Sequence, residues 1–401
     1  MRRLLALCVT LATLWLYAGA RRPAEARWFK GNTHTHTLWS DGDAAPELVA
    51  DWYASHGYDF LVLSDHNVLS RGERWFPVGE GRLTPAKVAE LGEHFGGGWV
   101  EEREVDGKRE MRLKTLEELR ERFGELLFIE GEEITDSFEG HPVHVNGLNL
   151  QEPIQPQGGT SLREVLQRNV DAVLAQARET GRPMLAHINH PNFQWGLTPE
   201  DVASVKGERF FEVYNGHSAV RNYGDAEHPS CEEMWDIALV LRLRELDLPP
   251  LLGLATDDAH EYFDWGVGET NPGRGWVMVR AEEKSPDAIV RAMKRGDFYA
   301  SSGVTLERVE HKTWKHLEVE IAAEEGVEYT TRFIGTRTVD GEPGEIGELL
   351  LETKENPARY EFAGDELYVR AKVISSRAHP NPYAEGDREC AWVQPVTRPL
   401  F

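Results

Sequence analysis

Cysteine is scarce in this chain, three in 401 residues, at positions 8, 231 and 390. Cys8 falls in an N-terminal apolar run, and neither Cys231 nor Cys390 has neighbours that would make it a thiolate nucleophile. The latter two could pair in an oxidising compartment, although nothing in the sequence brings them together. Basic residues are also short: 44 Lys and Arg against 68 Asp and Glu leave a formal charge of −24. A field of that sign repels polyanions, which argues against nucleic-acid polymer as a partner but not against a small phosphate drawn to bound cations. Signatures of other chemistries are missing too. There is no nucleotide-binding glycine loop ending in Lys, no G-x-S-x-G elbow and no H-E-x-x-H helix. Internal repeats and low-complexity tracts are absent.

The chain opens with Arg2 and Arg3, an apolar run from Leu4 to Tyr17, and A-x-A patterns at Ala18–Ala20 and Ala24–Ala26. This is the layout of a secretory signal, so residues 1–26 are expected to be removed by a Sec-type route. The product would be periplasmic or extracellular and would keep no stable membrane span. An uncleaved anchor is the alternative, because the apolar run is close to the lower limit for crossing a bilayer.

From Trp28 to Ser302 short apolar runs alternate with helix-like stretches. "DFLVLSDHN" (Asp59–Asn67), "ELLFIEGEE" (Glu125–Glu133), "PVHVNGLNL" (Pro142–Leu150), "RPMLAHINHP" (Arg182–Pro191), "RFFEVYN" (Arg209–Asn215) and "PLLGLATDDAH" (Pro250–His260) each read as a buried strand ending in polar residues. Segments such as Ser161–Gly181 and Cys231–Leu246 read as the helices between them. The alternation predicts an α/β barrel of parallel strands and crossover helices over residues 27–302. Arg71–Met111 breaks the period and is expected to be an insertion over the barrel mouth, or else a solvated loop. After Ser302 the pattern becomes β-type with turn signals, so residues 303–401 are expected to form a small β-rich domain, a sandwich being one form it could take.

The polar residues gather at strand ends, where such a barrel builds its site. "HTH" places His34 and His36 on one side of a strand, able to reach one metal ion at about 2.0–2.1 Å each. Asp41 follows, then Asp65 and His66, Glu132 and Glu133, His144, His187 and His190, and finally Asp257, Asp258 and His260. One buried His or Asp at a strand end is ordinary hydrogen-bonded structure. Seven successive strand ends furnished this way would leave many buried polar groups unpaired unless cations satisfied them. The other histidines, His56, His94, His141, His228, His311, His316 and His379, lie off this pattern.

The order H-x-H, aspartate, D-H, G-x-E, H, H-P and D-x-H resembles that of the polymerase-and-histidinol-phosphatase (PHP) superfamily, over about Trp28–Ser302. The resemblance implies a distorted seven-stranded (β/α)7 barrel holding two or three divalent metal ions, with Zn, Mn and Fe suited about equally. It implies that His34, His36, Glu133 and Asp258 hold one ion, and that Glu133 bridges to a second held by His144 and His190. Asp41, His66 and His260 would hold a third; many members have histidine where this chain has Asp41. Asp65 and Asp257 would orient ligating groups. Glu132 would point the other way along its strand, and strand alternation points His187 away from His190 as well.

Two such ions can bridge a water, make it a hydroxide near neutral pH and hold it in line with a phosphoryl group. The expected activity is therefore phosphoester hydrolysis of a small phosphorylated substrate. His217, in "EVYNGHSAVRN", is a candidate proton donor to the leaving oxygen, with water on the third ion as the alternative; Arg221 and Arg274 are candidate partners for substrate oxygens. Two other readings stay open: a hydrolase of a carboxylic ester or amide using the same ions, and a metal-stabilised binding or scaffold protein without catalysis.

Overall fold

A computed structural model describes residues 26–312 and 315–397, so the signal segment, apart from Ala26, lies outside the described residues. Seven strands carry the polar cluster: β1 (Arg27–Asn32), β2 (Phe60–Leu63), β3 (Leu127–Phe138), β4 (His141–Leu148), β5 (Leu185–Ile188), β6 (Phe210–Asn215) and β7 (Leu252–Thr256). β2, β5, β6 and β7 are buried at every position, which is why their sequences are apolar runs rather than alternations. Within the sheet the seven lie in the order β7-β6-β5-β4-β3-β2-β1.

The pairs β1–β2, β2–β3, β5–β6 and β6–β7 are parallel. Those on both sides of β4 are antiparallel, which corrects the expectation of parallel strands throughout. The reason is local: Glu139 and Gly140 both have positive φ, 50° and 86°, and close a two-residue hairpin between β3 and β4 where a crossover helix was expected. The two ends of the run meet at one parallel bridge, Thr35 to Ala259. There the His36 N–H donates to Ala259 O and the Asp258 N–H to His34 O, each at 2.9 Å.

Helix Leu162–Thr180 starts where Ser161 accepts the Glu164 N–H and stops at Gly181 in the left-handed conformation. Helix Cys231–Arg244 starts with a capping box between Ser230 and Glu233 and buries Met234, Trp235, Ala238 and Leu239. The segment Arg71–Met111 is an ordered insertion with its own core. A three-stranded sheet and helix Pro85–Phe95 bury Leu83, Val88, Leu91 and Phe95 against Leu38 and Trp39, directly after His36.

Beyond β7 the chain continues as β8 (Trp276–Ala281), β9 (Phe298–Ser301), β10 (Leu306–Lys312), β11 (His316–Ile321), β12 (Tyr329–Val339), β13 (Glu348–Thr353), β14 (Ala358–Glu361), β15 (Glu366–Ala378) and β16 (Arg388–Thr397). β8 pairs with β1 and β9 with β8, and β16 then pairs with β9, setting Tyr299 against Val393. The sheet thus runs on across position 302 through β16, β15 and β12, giving a mixed α/β fold around one sheet of fourteen strands. β10, β11 and β14 form a second sheet, and Leu317, Val319, Phe333, Val369 and Val393 fill the layer between the two. Tyr368, Cys390 and Trp392 pack into the same core as Trp235 and Leu239. Cys231 and Cys390 are buried and unpaired. No helix among the described residues is long and apolar enough to cross a membrane.

Candidate metal centre

His34 and His36 follow β1 and are fully buried. Their Nε2 atoms lie 3.1 Å apart, and Asp258 Oδ1 lies 3.1 Å from each. Glu133 Oε2 is 3.4 Å from the first and 3.3 Å from the second. Both rings turn the opposite nitrogen to a partner, His34 Nδ1 donating to Glu212 Oε1 at 2.7 Å and His36 Nδ1 lying 3.3 Å from Ser40 Oγ. Turned this way, neutral rings would aim two nitrogen lone pairs at two carboxylate oxygens. Such a set repels itself unless a cation sits among it. The edge of a tetrahedron of ligands at about 2.0–2.1 Å from a metal is about 3.3–3.4 Å, so the spacing fits an ion. Without an ion the ring carries that positive charge itself: burial opposes charge on His34, yet Asp258, Glu212 and Glu133 hold its pKa well above the ordinary value.

Glu133 turns its other oxygen to a second set. Oε1 lies 3.0 Å from His144 Nδ1 and 3.1 Å from His190 Nε2, and accepts the Asn189 side-chain N–H at 2.8 Å. Gly131, two residues earlier, explains the G-x-E spacing. A β-carbon there would meet Val62 Cγ1 at 2.4 Å and Gly147 O at 2.8 Å, so only glycine lets β2 and β4 close on this strand. His190 and Asp258 have positive φ, 22° and 49°, conformations that cost a residue with a β-carbon about 1–2 kcal/mol and here accompany ligand atoms turned into the cluster.

A third set is half open to solvent. Asp41, with 52 % of its side chain exposed, places Oδ2 3.2 Å from His66 Nε2 and Oδ1 3.3 Å from His260 Nε2. Burial would raise the Asp41 pKa, but hydrogen bonds with His260 and His66 hold it far below the usual carboxylate range. Ligand atoms of His36, Asp41, His66 and His260 lie close enough together to hold an ion, as do those of His34, Glu133 and His190 and those of His34, His36 and Asp258.

The other expected residues divide. Asp65 accepts the Thr37 N–H and hydroxyl, both at 2.8 Å, and the Ser40 hydroxyl at 2.6 Å, so it reaches His36 only through Ser40. Asp257 touches no ligating side chain; it accepts from Arg274 N at 2.7 Å, Gly275 N at 2.8 Å and Tyr53 OH at 2.8 Å. Arg274 needs correction as a substrate partner. It is fully buried, and its guanidinium donates to the carbonyls of Gly216 at 2.9 Å, Glu269 at 2.5 Å and Gly266 at 2.8 Å, leaving little to offer a phosphate. His217 stands at the third set, its ring 5.1 Å from that of His260. Its Nδ1 accepts the Ala219 N–H at 3.0 Å, and burial lowers its pKa to about 4, so it is a neutral imidazole with the proton on Nε2. Arg221 is exposed, its guanidinium 5.5 Å from the Trp195 ring. Glu132 bonds Ile154 N, away from the cluster. His187 is fully buried behind His34, 3.8 Å from Glu212, rather than with His190.

Sequence reasoning missed Glu212. Fully buried on β6, it accepts from His34 Nδ1, from His190 N at 2.7 Å, from Asn215 Nδ2 at 2.8 Å and from the Thr256 hydroxyl at 2.9 Å. It fixes the tautomer of one ligand and the backbone of another. The signal was a lone carboxylate inside the apolar run "RFFEVYN", which is untenable in a core without a polar purpose.

No family model matches this chain, and no curated protein does. Among solved structures it is similar to a two-domain protein containing a predicted PHP-like metal-dependent phosphoesterase from Bacteroides vulgatus, at 16 % identity and a TM-score of 0.42, covering 94 % of this chain and 100 % of that one. A second similar structure is an amidohydrolase from Chromobacterium violaceum with bound sulfate and no metal, at 14 % identity and a TM-score of 0.30, covering 58 % of this chain and 87 % of that one.

Proposed function

We propose that this chain is a metal-dependent hydrolase that cleaves phosphoester bonds in a small phosphorylated molecule, and that its seven site-bearing strands are a distorted barrel of the PHP type. The observation that carries this reading is Glu133, whose two oxygens face two separate ligand sets. His34, His36, Glu133 and Asp258 would hold one divalent ion, Glu133, His144 and His190 a second, and Asp41, His66 and His260 a third. The ions, Zn, Mn or Fe, would lower the pKa of water and neutralise the oxygens of a transferring phosphoryl group.

Around them the protein's own groups hold geometry. Glu212 orients His34, Asn189 holds Glu133, and Asn215 donates to Asp258 Oδ2 at 3.1 Å. His217, a neutral donor at Nε2, would position a substrate oxygen by hydrogen bonding, and Arg221 supplies a cation on the adjoining loop. Export rests on the basic and apolar start of the chain.

Metal analysis of the purified protein, coupled to phosphate release from a panel of mono- and diesters with each metal added back, tests this reading. At least two ions per chain, and phosphate release abolished by His34→Ala with His36→Ala, are expected. Fewer than two ions, or no phosphate from any ester with any metal, overturns it.

A further inference from the structure

Between β6, helix Cys231–Arg244 and the C-terminal strands lies a cavity of about 460 Å3, lined by none of the metal-ligating residues. Three cations, Arg370, Lys372 and Arg388, and four carboxylates, Glu232, Glu233, Asp236 and Asp387, line it. All but Arg388 are already answered by one another or by local donors. Arg370 grips Asp236 through Nε and Nη2 at 2.7 and 2.6 Å, and Lys372 bonds Glu232. Glu233 accepts from the Ser230 N–H and hydroxyl, both at 2.8 Å, and Asp387 accepts from Tyr223 OH at 2.7 Å. Arg388 is at the exposed rim.

What the cavity has to spare is hydrogen-bonding capacity. Arg370 is 2 % exposed, yet its Nη1 has no hydrogen-bond partner and lies 3.7 Å from Glu232 Oε2. A buried guanidinium N–H left bare is costly, and the void is far larger than the roughly 30 Å3 that one water takes up. Aromatic surface lies beside it: Tyr214 and Trp392 stack at 5.4 Å, and Tyr223 is 56 % exposed at the rim. An anion would meet four carboxylates here, and a cation would leave Arg370 Nη1 unsatisfied. A neutral polyol satisfies both kinds of group, because each hydroxyl donates and accepts while the C–H face of a sugar ring packs on aromatic carbon. We propose that this cavity is a binding site for a neutral saccharide of one or two rings. Its size falls in the ordinary range for small-molecule sites, about 300–1,000 Å3.

Calorimetric titration of the full chain with neutral pentoses, hexoses and disaccharides, alongside the matching sugar acids, sugar phosphates and amino sugars, tests the proposal. At least one neutral saccharide should give saturable heat. Arg370→Lys should weaken that binding at least about tenfold, the value of a hydrogen bond to a charged group. Tyr223→Ala at the exposed rim should weaken it too, and serves if the Arg370 variant does not fold. Both variants should keep the metal content of the parent, which separates this site from the metal centre. No saturable heat from any neutral saccharide, tighter binding of a charged analogue, or binding untouched by Tyr223→Ala and by any Arg370→Lys protein that folds overturns it.

Discussion

The two ends of the candidate metal cluster are built from the same residue types on different supports. His34, His36, Glu133 and Asp258 are closed off from water, whereas Asp41 is 52 % and His66 25 % exposed. At the closed end three of the four ligands have a second anchor within the core: Glu212 behind His34, Asn189 beside Glu133, Asn215 on Asp258. At the open end Asp41 sits on a turn held by Asp65 through Thr37 and Ser40, with Arg82 donating to Ser40 O and Gly42 O at 2.6 and 3.2 Å. The difference teaches that this protein fixes one end of its cluster by burial and the other by a surface turn. Affinity for ions should follow that gradient.

The sharpest way to break the comparison is Glu133→Gln. It should strip ions from the closed end and lower phosphate release by about 10³-fold or more, read by metal analysis and turnover; retained metal would show that Glu133 is not the shared ligand. Next is Glu212→Gln, which touches no ion in the proposed arrangement and should still weaken metal affinity about 10–100-fold in chelator competition. An unchanged affinity would mean that the closed end does not depend on that anchor. Asp41→Asn should cost one ion and about tenfold in turnover while leaving the melting temperature near that of the parent. Loss of every ion in this variant would erase the distinction between the two ends.

The smallest effect serves as a control away from both ends. Burial pushes the Glu232 carboxyl up, but Lys372 and Arg370 hold it down at about 2. A carboxylate held below its unfolded value adds stability that is full above about pH 4.5 and is lost as pH falls toward about 2. Glu232→Gln should therefore remove about 1 kcal/mol near neutrality and flatten the acid-melting curve in that window, without altering metal content.

The convergence of these His, Asp and Glu residues was legible because candidate ligands must be polar and must stand where apolar strands end, which leaves a mark in the text at each strand. The G-x-E glycine was legible as a motif and acquires its reason only from Val62 and Gly147 on either side. Arg274 was misread because its partners are backbone carbonyls at positions 216, 266 and 269, and no side-chain pattern records a carbonyl. The reversal of β4 was available in Glu139–Gly140, a short hairpin signal hidden by the stronger expectation of a crossover helix. Pairing of β9 with β16 was out of reach, since an edge strand does not encode which distant strand will cover it.

That pairing has a consequence for how the molecule can be cut. Removing everything after Ser302 would take β16 from β9 and strip Tyr368 and Trp392 from the core around Trp235. The remainder would present an uncovered strand edge beside exposed aromatic surface, the combination that draws chains into aggregates. The β-rich C-terminal part is in this sense a guard on the open side of the rest, so a shortened chain would be expected to fail by sticking to itself before it failed by losing its candidate metal ligands.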